Sequence, residues 1–351
     1  MSPKIVSFAS GGRVARHSQE TQRSGDDLTL RQKAPVFVLG CPRSGTTLLY
    51  YMILSSGGFA VYPEESHVFS LIVPKFGNLA RRKTRQRLMK RWLKSMYFEH
   101  SGLAADSIEK KIVEECHNGG DFLRIVMEEI ARKQNVDRWA DTTPAHLLYI
   151  PAIKKAFPDA LIIHSIRDGR DVALSMDKLH WIPPFPWDKQ NSLMAQGLYW
   201  EWIVRNGRKH GHLFGDDYME VHFEDLISHP HQTLALIGRF IEHELNYDKI
   251  RQVGLGSVSN PNTSFRTEVA DGQFSPIDRW KQSFSQAQVE MFEGLVGPFL
   301  KELGYALSSS PPAGLRSVRL RTVRALYQGN FSTKLWLQSR TPLGRFMRAK
   351  I

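Results

Sequence analysis

The segment that most constrains this chain runs Pro35-Val-Phe-Val-Leu-Gly40-Cys-Pro-Arg-Ser-Gly45-Thr-Thr-Leu-Leu-Tyr50. Pro35 to Leu39 is a short apolar run rich in β-branched and aromatic residues, which reads as a buried strand. Gly40 ends it, and after Gly45 the run Thr46 to Leu54 (TTLLYYMIL) reads as a buried helix. Strand, glycine turn and helix in that order open an α/β unit. The turn suits an anion. Its glycines let the backbone approach closely, and the amides of Ser44, Gly45, Thr46 and Thr47 would face the anion from a helix N-terminus.

The spacing of Gly40 and Gly45 matches the nucleotide-triphosphatase loop G-x-x-x-x-G-K-[ST], but Thr46 stands where that loop carries lysine. A kinase acting on a Mg²⁺-nucleotide needs that lysine on the β- and γ-phosphates. Here the cation has moved inside the loop, to Arg43. A phosphate-loop kinase is therefore an alternative that Thr46 disfavours. The plainer alternative is a glycine turn that only joins strand to helix.

The same alternation continues downstream. Ile150 to Phe157 has helical spacing and stops at Pro158-Asp159, Leu161 to Ile166 reads as a second strand, and Asp168 to Met176 as the helix after it. Tyr218 to Phe223 alternates like a strand, and Gln232 to Ile241 is a helix candidate. Strands separated by helices imply a mostly parallel sheet covered on both faces. The expected fold is a three-layer, phosphate-loop-like α/β domain over residues 34–305. A polar N-terminal tail, 1–33, expected to be mobile, precedes it, and a basic extension, 306–351, follows.

Charge is unevenly spread. The chain carries a net +12, and no Asp or Glu follows Glu302, so Arg316, Arg319, Arg321, Arg324, Lys334, Arg340, Arg345, Arg348 and Lys350 supply nine of those charges. A second acid-free basic run spans Lys75, Arg81, Arg82, Lys83, Arg85, Arg87, Lys90, Arg91 and Lys94. Such surfaces attract anions, and the plain alternative is a solvated helix face. The apolar residues among the C-terminal cations make an anionic membrane surface a candidate partner, with nucleic acid the weaker one and oligomerisation left open. Cys41 and Cys116 are the only cysteines, which excludes a disulfide framework and a cysteine-built metal site. No apolar run reaches the roughly 20 residues of a spanning helix, and residues 1–33 lack a signal-peptide core. The expected location is cytoplasmic, with peripheral membrane contact through the extension.

Pro42-Arg-Ser-Gly-Thr-Thr47 resembles the 5′-phosphosulfate loop of the sulfotransferases that use 3′-phosphoadenosine 5′-phosphosulfate (PAPS), in particular the bacterial-type and tyrosylprotein group. Ile166-Arg-Asp-Gly-Arg-Asp-Val-Ala-Leu-Ser175 is similar to that family's 3′-phosphate site, and Asp278-Arg-Trp-Lys281 to its cofactor-covering segment. The resemblance spans about Val36 to Tyr305. It implies that Arg43, Ser44, Gly45, Thr46 and Thr47 hold the 5′-phosphosulfate, with Arg43 also stabilising the transferring group. It implies further that Arg167 and Ser175 take the ribose 3′-phosphate, a pairing of forked guanidinium and hydroxyl that suits a dianion. Phe223 falls beside the adenine, Ser264 starts a loop over the nucleotide, and Arg279 replaces a phosphate-contacting lysine. Asp168, Arg170 and Asp171 are expected to be helix-start and surface residues.

The implied reaction moves a sulfuryl group from PAPS to an acceptor hydroxyl (a small alcohol, lipid or glycan) without a metal. Pro63-Glu-Glu-Ser-His67 lies where the family carries its catalytic carboxylate. That implies Glu65 as general base, with Glu64 the alternative for an alignment one residue off, and His67 and His146 as rivals. A base near Arg43 is expected to ionise easily. One departure stands out: Thr142 replaces a lysine that relatives often carry before Thr-Pro, so Thr142, Thr143 or another cation must supply that contact. A basic nucleotide- or membrane-binding protein without catalysis is the alternative from another class.

Overall fold

The computed structural model describes residues 5–6, 31–260 and 275–341. In chain order, strand β1 is Ile5–Val6 and β2 is Val36–Gly40; helix α1 is Thr46–Ser55 and strand β3 Phe59–Ala60. Helices α2 (Arg82–Trp92) and α3 (Gly119–Lys133) precede strand β4, Arg138–Asp141. Helix α4 (Ile150–Ala156), strand β5 (Leu161–Ile166), helices α5 (Gly169–Asp177) and α6 (Ser192–Gly211), and strand β6 (Tyr218–His222) follow. Helices α7 (Phe223–Ser228), α8 (Pro230–Ile241), α9 (Tyr247–Val253), α10 (Gln286–Glu302) and α11 (Gly314–Arg340) complete the described chain.

The six strands lie in the order β1-β6-β5-β2-β4-β3, and every pairing is parallel. Such a sheet is apolar on both faces, and side chains alternate between them with period two. Phe37, Leu39 and Ile162 join the core beneath α3, α4, α5, α6 and α10. Val36, Val38, Leu161 and Ile163 join the opposite core, beneath α1, α8 and α9. This is the expected three-layer arrangement. Ile5–Val6, inside the segment read as a mobile tail, instead adds an edge strand beside β6.

Chain direction turns at β2, since β4 lies on one side of it and β5 on the other. Ligands of open α/β sheets bind outside the carboxyl ends of the strands at such a point. Gly40 pairs with Ser165, whereas Asp141, the last residue of β4, is level with Phe37. The pairing of β4 with β2 therefore stops three residues short of the β2 end, and the chain leaves the sheet there through buried Thr142 and Thr143.

The strand read as Tyr218 to Phe223 ends at His222, and Phe223 begins α7. The basic run at 75–94 is mostly the outer face of α2, but Arg85 departs from it. Its guanidinium is buried and donates to the carbonyls of Leu79, Ala80 and Val113. Helix α11 packs on the domain through Tyr327 and Phe331, both in the same core as β2, so the packed unit extends past residue 305.

Candidate active site

The loop after β2 turns through two left-handed residues, Arg43 at φ 73° and Gly45 at φ 82°. Gly45 is required twice over. Its φ disfavours a side chain, and a Cβ there would lie 2.2 Å from the Phe223 ring. Helix α1 starts after Gly45 with no side-chain cap and no acid in its first turn, so its leading amides keep their partial positive charge. Ser44 and Thr46 are buried in this turn and Thr47 is exposed. The turn is tied to β5, where the Ser165 hydroxyl donates to the Ser44 carbonyl at 2.7 Å.

Arg43 and Arg167 come from loops after neighbouring strands and meet here. Arg167 Nη1 donates to the Arg43 carbonyl at 3.0 Å, and Arg43 Nε donates to Ser175 Oγ at 2.9 Å. Burial, with the Arg167 charge beside it, lowers the Arg43 pKa from its ordinary value. Two guanidinium groups held together at strand ends make a site that favours an anion. Within it the buried Arg167 Nε and Ser44 Oγ have no hydrogen-bond partner among the described residues.

Phe223 is 5% exposed, with its ring packed against Gly45 and the Arg167 guanidinium 4.7 Å from its centroid. It supports both anion-binding loops from below. The segment before α10 closes on the same place. Arg167 Nη2 donates to the Pro276 carbonyl at 2.5 Å, and the amides of Asp278 and Trp280 donate to Asp171 at 2.9 and 3.0 Å. Arg279, half-buried, lies between those two tethered residues. Ser264 lies outside the described residues.

Asp168, Arg170 and Asp171 are not the surface residues that their charge suggested. All three are buried. Asp168 does start α5, accepting from the Arg170 amide at 2.8 Å. Arg170 pairs with Asp168 and Glu293 at 2.7 Å each and lies 3.9 Å above the Trp280 ring. Burial is feasible because each charge meets its opposite or a donor across the fold. A half-buried carboxylate that sequence reading missed, Glu224, accepts from the Asp168 amide at 2.9 Å and the Tyr305 hydroxyl at 3.0 Å. An acid directly after an apolar strand was the signal.

The end of β4 is organised by Asp141. Its carboxylate accepts from the amides of Ser66 (3.4 Å) and Thr143 (3.3 Å), the Thr143 hydroxyl (3.2 Å) and His146 Nδ1 (3.1 Å). Burial alone would raise its pKa, but these bonds carry it below the ordinary value. His146 is fully buried, and its Nε2 accepts from the Phe69 amide at 3.1 Å. Both its nitrogens are engaged inside the fold, so it is a structural histidine and not a base.

The Ser66 bond ties the segment that carries Glu65 to the end of β4, the strand next to β2. The Thr143 hydroxyl also accepts from the His67 amide at 3.2 Å, and Tyr50 of α1 donates to the Tyr62 carbonyl at 2.6 Å. Glu64 is taken up by His100, 2.5 Å away. Glu65 is half-exposed, and His67 Nε2 lies 3.3 Å from its carboxylate. Burial holds His67 down at about 4, so the imidazole beside Glu65 is neutral and the contact is not an ion pair. Burial and the charges of Asp141 and Glu64 push the Glu65 carboxyl up to about 7. Burial first, and the nearby acids second, thus oppose ionisation of Glu65, contrary to the expectation of easy ionisation. Thr143 is fully engaged, whereas the buried Thr142 Oγ1 has no partner among the described residues. Thr142 is therefore the hydroxyl left for a ligand.

The profile of the sulfotransferase family matches residues 35–247. The chain is 23% identical over 301 residues to protein-tyrosine sulfotransferase A of Caenorhabditis elegans, covering 84% of this chain and 73% of the relative. It is also 23% identical over 285 residues to a putative protein-tyrosine sulfotransferase of Caenorhabditis briggsae, covering 79% and 91%. Among solved structures it is similar to the sulfotransferase domain from the Synechococcus PCC 7002 olefin synthase, at 16% identity and a TM-score of 0.47, covering 85% of this chain and 94% of that one. With the profile match extending over more than half of its length, the chain belongs to the sulfotransferase family, and sulfuryl transfer is its chemistry.

Proposed function

We propose that this enzyme takes its sulfuryl group from PAPS and delivers it to an acceptor hydroxyl, with Glu65 as general base. The supporting observation is the meeting of Arg43 and Arg167 at the β2 and β5 ends, with Ser44 Oγ and Arg167 Nε unpartnered among the described residues. A carboxyl raised to about 7 lies on the segment tied to the end of β4, the strand on the other side of β2. These residues fit a molecule that presents two separate anionic groups. Gly45, Thr46 and Thr47 offer amides, and Arg43 a charge, to the 5′-phosphosulfate. Arg167 and Ser175 face the ribose 3′-phosphate, with Arg279 on the covering segment. Bound there, PAPS supplies an activated sulfuryl group.

The protein supplies position, charge and proton removal. Arg43 meets the negative charge that builds on the transferring group, and the Thr142 hydroxyl donates where relatives use lysine. Glu65, with a pKa near working pH, accepts the hydroxyl proton as the acceptor attacks. Phe223 acts as a support beneath the two loops, and its burial leaves little ring surface for an adenine.

Calorimetry with PAP, the desulfated product, tests the cofactor assignment. PAP should bind at least about tenfold more tightly than AMP, because only PAP carries the 3′-phosphate. Charge-assisted hydrogen bonds contribute about 1.5–3 kcal/mol, so Arg167→Ala should weaken PAP by roughly 10- to 150-fold. Equal affinity for PAP and AMP would overturn the assignment and favour a phosphate-loop kinase.

A further inference from the structure

Helix α11 has one face on the domain and one face in water. Tyr327 and Phe331 are buried on the inner face, and Arg324 pairs there with Glu201. The outer face is unusual for a surface helix. Leu315 is 89% exposed, Val318 59%, Leu326 52% and Trp336 58%. At 3.6 residues per turn these four fall within an arc of about 80°, along about 32 Å of helix. Thr322, Ala325, Gly329 and Thr333 fill the same side, all exposed and uncharged. Cations flank it: Arg319 lies on one edge, Arg321 on the other, and Lys334 further round. Among the described residues none of these three has a carboxylate partner, while Arg316 reaches Glu290 at 3.4 Å.

We infer that this face of α11 docks the enzyme on an anionic lipid surface, with Leu315, Val318, Leu326 and Trp336 in the interface and Arg319, Arg321 and Lys334 on the headgroups. Apolar residues flanked by cations, with no acid, are what an interfacial helix presents to anionic lipid. Among the described residues no helix is long and apolar enough to cross a membrane, so the helix lies flat. A second copy of the chain is a poorer occupant. Pairing this face with itself would set unbalanced arginines and lysines against one another, with no acid after Glu302 to offset them. The basic helix α2 differs in kind, because Leu88, Met89 and Trp92 are buried in the core and only its charges are outside. Membrane docking goes beyond sulfuryl transfer and does not depend on the cofactor assignment.

The test is co-sedimentation of the full chain with vesicles of equimolar phosphatidylglycerol and phosphatidylcholine. Binding should fall steeply with salt and be absent on phosphatidylcholine alone. Replacing Leu315, Val318, Leu326 and Trp336 by Ser should weaken it at least about tenfold, as should the separate variant R319Q/R321Q/K334Q. Both variants should keep the wild-type midpoint in chemical denaturation, which shows that the fold is intact. No binding by the wild type overturns the inference. So does binding that survives both α11 variants, whether or not it yields to neutralising Arg82, Lys83, Arg87, Lys90 and Arg91 of α2. A wild-type dimer in sedimentation velocity that the Ser variant converts to monomer assigns the face to a second copy and also overturns it.

Discussion

His100 sits 2.5 Å from the Glu64 carboxylate, while the neighbouring Glu65 faces a neutral His67 and two like charges. That difference supports the proposal of Glu65, and not Glu64, as the base. Glu65→Gln should lower turnover by roughly 10²- to 10⁴-fold, the usual contribution of a general base, with PAP affinity retained. Since the base works deprotonated and its pKa is raised to about 7, the wild-type rate should climb as pH rises through about 7. His67, held at about 4, does not titrate in that window. Glu64→Gln removes one of the charges that disfavour ionised Glu65, so its activity limb should move to lower pH with little loss at the plateau. A limb that stays in place in Glu64→Gln would show that the two carboxyls do not interact. The order Glu64-Glu65 was legible in the chain, but their division of labour was not. It depends on His100, 36 positions away, and on Asp141, 76 positions from Glu65.

Short elements carry the anion site, and their boundaries follow local rules: the apolar β-branched run of β2, the glycine before α1 and the Asp168 cap of α5. Gly45 links this local grammar to packing, because its left-handed turn also lets α7 press Phe223 against the loop. Gly45→Ala should therefore act on both. We expect a loss of about 1–3 kcal/mol in chemical denaturation from strained backbone, together with weaker PAP binding as Phe223 and Arg167 are displaced. If PAP affinity is unchanged in Gly45→Ala, the loop does not hold the 5′-phosphosulfate. Phe223 itself shows the limit of reading elements from sequence. Its alternating neighbours extend the strand by one residue, but burial beneath two loops makes it the first residue of a helix.

At the scale of the molecule, the C-terminal helix completes the fold. Glu201 of α6 is fully buried and is satisfied by Arg324 (2.5 Å) and Gln328 (3.1 Å) from α11, with Arg205 at 3.0 Å from its own helix. The Trp202 indole donates to Ser332 at 3.0 Å, and the Tyr327 hydroxyl donates to Asp188 at 2.9 Å. A chain ending at Ser310 would strip Glu201 of its inter-helix partners. Leaving a buried charge without its partner costs about 3–5 kcal/mol, and the sites of Tyr327 and Phe331 would be uncovered as well. The truncated chain should unfold at clearly lower denaturant concentration. An unchanged midpoint would make α11 an appendage.

Sequence alone determined the glycine turn after β2 and the parallel α/β order, because each rests on a local pattern: glycines at fixed spacing and strands feeding helices. Arg43, Arg167 and Glu65 were singled out by resemblance to the motifs of a family. Sequence also determined that nothing after Glu302 is acidic. Tertiary structure alone decided which of those charges are solvated. Arg85, Asp168, Arg170, Asp171 and Arg324 look like surface charges in one dimension, yet they are paired inside the fold or against it. Leu315, Val318, Leu326 and Trp336 look like core residues and lie in water. The physical reason is that burial of a charge depends on a partner brought from elsewhere in the chain, and exposure of an apolar side chain on which helix face the fold has already covered.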